Sequence, residues 1–87
     1  MIVERFYFPA NEQSNCLNAI ADKRSKQADV AAFYADCIRA DAIATRRGNI
    51  GCDWKAINRA ICERWPKGLE RVKKMAWKIV KWKGGNS

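Results

Sequence analysis

Apolar residues recur at helical spacing on both sides of a single proline, Pro66. Before it, Trp54, Ile57, Asn58, Ile61 and Trp65 form a stripe at steps of three and four, the mark of one helix face. After it, Leu69, Val72, Ala76, Ile79 and Val80 fall within an arc of roughly 100°. The residue before a proline is pushed out of the helical region, so the first stripe ends near Arg64. Pro66 itself suits the first position of the next helix. Asp53 is placed to cap the earlier one.

Two further helices are expected upstream. One runs from about Lys26 to Arg47, with Val30, Phe33, Tyr34, Cys37 and Ala44 on one face and Gly48 ending it in a left-handed cap. Asp41 interrupts that face. An ion pair with a basic residue elsewhere, or drift of the helix to its rim, is the expected explanation, with a catalytic or binding carboxylate as the alternative. The other runs from Asn11 to about Arg24, capped by Asn11 or Ser14, with a narrow apolar arc of Leu17, Ile20 and Ala21. The polar run from Asp22 to Gln27 predicts a bend between the two. The fold class is therefore all-α, a small domain of three to four helices formed by the whole of residues 1–87.

Both ends of the chain depart from this pattern. Residues 1–10 are expected to be an extended aromatic arm in which Ile2, Phe6 and Phe8 cover the helices, closed by Pro9. A short strand pairing with a second copy is the alternative, and it would make a homodimer. Residues 84–87 read as a loose tail that ends the last helix. No leader segment is expected at the start and no apolar run approaches 18 residues, so a cytoplasmic location is expected.

The charge is uneven. Residues 1–43 carry five Lys or Arg and six Asp or Glu, whereas residues 44–87 carry twelve and three. The segment from Pro66 to Lys83 alone holds seven basic residues against Glu70. Within it Lys67, Arg71, Lys74, Lys78 and Lys81 recur at steps of four, three, four and three, opposite the apolar arc. Trp77 borders this basic face on one side and Trp82, with Met75 near it, on the other. Aromatic rings interleaved with cations suit nucleobases or a bilayer interface. Trp54 and Trp65 are expected in the core, as is Trp77, with Trp82 left open between core and binding.

The binding face expected from these residues is Lys67, Arg71, Lys74, Lys78, Lys81 and Trp82, with Arg46 and Arg47 contributing. Nucleic acid bound through its phosphates, with weak sequence specificity, is the expected ligand. A helix-turn-helix reading of the joint at Trp65–Gly68 is weak, because Lys67, Glu70, Arg71 and Lys74 suit phosphates better than base edges. An acidic protein surface is the alternative partner. The chain's size, basic charge and tryptophan content resemble those of small accessory proteins of phages and mobile elements. A peripheral membrane site is a third reading, weakened because the core needs the apolar arc.

Catalysis is not expected. The chain has no histidine, no paired carboxylates in a plausible cleft, no phosphate loop and no nucleophile motif. No cofactor is expected. Cys16, Cys37, Cys52 and Cys62 lack the paired spacing of a zinc site, so no metal is expected either. Cys37 and Cys62 fall on apolar arcs and read as small buried hydrophobes.

Overall fold

Four helices form in the computed structural model, which describes the backbone over residues 8–85 and the side chains over residues 11–82. They are α1 (Phe8–Ala21), α2 (Gln27–Arg46), α3 (Trp54–Arg64) and α4 (Leu69–Gly85). The described residues contain no strand, and the domain is all-α. The expectations for Ile2 and Phe6 fall outside the described residues.

The helix ends follow local chemistry. At the end of α2, Gly48 adopts φ +78°, its N–H donates to the Thr45 carbonyl and the N–H of Asn49 to that of Ala44. This pair of bonds satisfies carbonyls that the helix leaves open. At the start of α2, the N–H of Lys26 donates to Asp29 Oδ2 at 2.8 Å. Asp53 caps α3 by accepting from the N–H of Ala56 at 3.2 Å.

Three boundaries differ from the sequence reading. First, Phe8, Pro9 and Ala10 belong to α1 rather than to an extended arm. Pro9 lies in the first turn, where its missing N–H would have had no partner in any case. Second, α4 begins at Leu69 rather than Pro66, because Pro66 and Lys67 form a turn closed by the N–H of Gly68 donating to the Trp65 carbonyl at 2.8 Å. Third, α4 continues through Gly84 and Gly85. Glycine weakens a helix by about 1 kcal/mol per residue without forbidding it.

The helices α1 and α2 fold back on each other as a hairpin. Cys37, in the later part of α2, donates to the carbonyl of Glu12, early in α1. The helix α3 runs in the direction of α1: its start meets α1 where the N–H of Asp53 donates to Gln13 Oε1 at 2.8 Å. Its end meets the end of α1 through Arg64. The helix α4 packs mainly on α2 and contacts α3 only slightly. It starts beside the start of α2, where Gln27 lies against Gly68.

The helix α2 is therefore central, and its buried surface is wider than one stripe. Val30, Ala31, Tyr34, Ala35, Cys37 and Ala44 are buried on it, whereas Phe33 is 36% exposed. A helix with neighbours on two sides needs a broad apolar surface, and alanine lets backbones approach closely. The arc of α1 changes likewise: Cys16, Ala19 and Ile20 are buried, Leu17 is half-buried and Ala21 is exposed. The core is completed by Ile57 and Ile61 of α3 and Val72 and Ala76 of α4. Trp54 and Trp65 pack against it and are half-buried.

Candidate functional site

The basic face of α4 follows from which of its sides the core takes. Val72 and Ala76 are fully buried, and Leu69, Met75, Ile79 and Val80 pack partly against the core. The opposite side must face water. There Arg71, Lys74, Lys78 and Lys81 are all exposed, as is Lys67 in the turn just before the helix. Among the described residues, the ion pair on α4 joins Lys73 to Glu70 at 3.9 Å. Such a pair on a helix surface contributes only a few tenths of a kcal/mol.

The tryptophans divide differently from the sequence reading. Trp77, expected in the core, is 48% exposed, and Trp82 is 67% exposed. Trp77 lines a shallow groove together with Glu70, Lys73, Lys74, Lys78 and Lys81. Its place at the border of the arc explains the difference: among the described residues α4 packs mainly against α2, which leaves the outer half of the indole uncovered.

Arg46 and Arg47 are also exposed, but they end α2. Since α2 and α4 begin at the same end of the molecule, and α2 has 20 residues, the two arginines lie about 28 Å along α2 from the Lys67 end. The structure does not bring them to Lys67 and Arg71.

Asp41 is half-buried at the rim of its face, as drift of the helix would place it, and no ion pair to it is seen among the described residues. Its Oδ1 accepts from the N–H of Cys52 at 2.7 Å, tying the loop before α3 to α2. A charged acceptor makes this bond stronger than a neutral one.

Arg64 carries a role that its sequence context does not reveal. Its Nη1 donates to the carbonyls of Ile20 and Asp22, both at 2.6 Å. Its Nη2 donates to those of Lys23 at 3.0 Å and Ser25 at 2.7 Å. The guanidinium also stacks on the Trp65 ring at 4.4 Å. One side chain from α3 thus satisfies the open carbonyls at the end of α1 and through the following bend. A basic residue in the last turn of a helix suggests only an interaction with its own dipole, so no sequence signal pointed here.

Three of the cysteines form a chain through the core. Cys37 donates to the Glu12 carbonyl at 3.3 Å, and Cys52 Sγ lies 3.6 Å from the Cys37 carbonyl oxygen. The Cys37 thiol beside Cys16 lowers the Cys16 pKa. Its contact with Cys16, with burial, pushes Cys37 up to about 12. Cys52 is raised as well, first by its contact with Cys37 and then by burial. Cys16 and Cys37 have no exposed surface. Cys62, expected to be buried, is exposed, because α3 turns it away from Ile57 and Ile61. Among the described residues, no three of the Cys, Asp and Glu side chains converge so as to hold a metal ion.

Tyr34 joins α2 to α3. Its hydroxyl donates to Asn58 Oδ1 at 2.9 Å, and its ring lies 5.0 Å from that of Trp54. Burial raises its pKa to about 12. Asn58 thus belongs to the α3 stripe as a polar partner for this hydroxyl. No helix among the described residues is long and apolar enough to cross a membrane.

Comparison of the chain with protein-family models, curated proteins and solved structures yields no match.

Proposed function

We propose that this chain is a small nucleic-acid-binding protein that holds phosphates along α4. The observation that carries this reading is the division of α4. One side is packed into the core through Val72 and Ala76, and the other presents Arg71, Lys74, Lys78 and Lys81 to water, with Lys67 leading in. Cations spaced by one helical turn give a field that attracts a regularly charged polymer. The carbon stems of lysines can lie along the groove beside Trp77 while the ammonium groups reach outward.

The proposal is one of binding rather than catalysis, in the cytoplasm, with phosphate contacts dominating and weak discrimination among sequences. A membrane surface fits less well, because the apolar residues an interfacial helix would insert are the ones α4 gives to the core.

Fluorescence anisotropy with labelled oligonucleotides of unrelated sequence tests the reading. The double variant Lys74→Glu and Lys78→Glu alters two exposed positions, so the fold should persist by circular dichroism. Its affinity should fall at least tenfold for every sequence alike. Unchanged affinity in the double variant would refute the reading.

A further inference from the structure

We propose that Trp77 is a stacking platform for an unpaired base, which makes single-stranded nucleic acid the preferred ligand of α4. The inference rests on the phosphate-binding reading above and names the ligand class of the same face.

Trp77 leaves 48% of its surface in water, although apolar surface of that size is favourably covered. It lines a groove together with Lys73, Lys74, Lys78 and Lys81. On a helix, Lys73 and Lys74 stand one turn before Trp77 and Lys81 one turn after it. A flat apolar ring between cations at each end matches one nucleotide with its flanking phosphates: the base lies on the ring and the phosphates meet the ammonium groups. Lys74 and Lys81 are about 10 Å apart along the helix axis. The flexible lysine stems let the two ammonium groups close from there on the phosphates of a stacked nucleotide.

Duplex DNA satisfies only half of this arrangement. Its phosphates can meet the lysines, but its base faces are covered by their neighbours, and only base edges are open in the grooves. The ring would stay wet, or a base pair would have to open. A single strand offers the face of the base at much lower cost, whatever the base, since each has a π-face. Glu70 also lines the groove and pairs with Lys73 at 3.9 Å, so Lys74 and Lys81 are the cations that meet the phosphates.

The test measures the affinities of the full chain for a labelled oligothymidylate and for a hairpin duplex at equal low salt. Wild type, Trp77→Ala and Trp77→Phe are compared, with circular dichroism as the check on folding. Wild type should prefer the single strand. Trp77→Ala should weaken single-strand binding about tenfold and leave duplex binding within twofold, and Trp77→Phe should recover most of the loss. Quenching of tryptophan fluorescence on binding should be smaller in both variants. Equal affinity for the two ligands in wild type, with no effect of Trp77→Ala, would overturn the stacking proposal and leave phosphate binding standing. An equal loss for both ligands in Trp77→Ala would also overturn it. Failure of wild type to bind either ligand would overturn both readings.

Discussion

The carboxylate of Asp41 occupies the space that a side chain on Gly51 would fill. A Cβ added at Gly51 would collide with Asp41 Oδ1, the same oxygen that accepts from the N–H of Cys52 at 2.7 Å. The absence of a side chain at residue 51 therefore allows a carboxylate on α2 to reach the loop backbone. Gly51→Ala should displace that carboxylate and lower stability by about 1–3 kcal/mol in urea denaturation. In an Asp41→Ala background the same change should cost much less, because the clash and the bond share one atom. Additive losses in this double-mutant cycle would show that the two residues act separately.

Arg64 should be among the most sensitive polar positions. Replacing it with Ala removes the donors that serve Ile20, Asp22, Lys23 and Ser25. A loss of about 2–3 kcal/mol is expected, by analogy with other charged hydrogen bonds. Arg64→Lys should recover only part of it, since an ammonium group cannot reproduce the planar fork. Hydrogen exchange should quicken first at the end of α1. Full recovery by lysine would mean that the charge matters rather than the geometry.

The thiols should separate by exposure. Cys62 is exposed, whereas Cys16 and Cys37 are buried. With a thiol-specific chromogenic reagent, Cys62 should react promptly in the native protein, and Cys16 and Cys37 only as fast as the chain unfolds. The Cys62→Ser variant should lose the prompt phase. Prompt reaction of Cys37, located by peptide mapping, would contradict the packing of α1 on α2.

Tyr34 gives stability a dependence on alkaline pH. Its pKa is raised from 10.0 to about 12 by burial, so the folded state holds the phenolic proton more tightly than the unfolded chain does. The stabilisation is complete below pH 10 and is lost as pH rises through about 12, because the unfolded state then binds fewer protons. The melting temperature should fall across that interval. Tyr34→Phe should be less stable at neutral pH, having lost the bond to Asn58, and its fall should be shallower. An identical alkaline slope in the variant would remove Tyr34 from the account.

Much of this architecture is legible in the residues. The stripe from Trp54 to Trp65 and the arc from Leu69 to Val80 each record one buried face, and Asp53 and Gly48 mark helix ends by their own chemistry. The pattern misleads where a helix has more than one neighbour. The alanines of α2, Ala31 and Ala35, fill a second contact that no single arc describes. Phe33 and Trp77 illustrate the opposite error: both lie near an apolar arc, and each stays open because no neighbour among the described residues closes over it. Arg64 and Asp41 depend on backbone groups far along the chain, which no local spacing records. The candidate face on α4 was legible from its charge period, and the groove around Trp77 required the packing.

The central claim is that α4 meets a polyanion through its basic side chains, and the salt dependence of binding tests it most directly. Affinity of the full chain for one oligonucleotide is measured by anisotropy over a series of salt concentrations. With contacts from Lys67, Arg71, Lys74, Lys78 and Lys81, log K should fall against log salt with a slope of about −3 to −4 on a single strand and about −4 to −5 on a duplex. A slope near zero would contradict the claim.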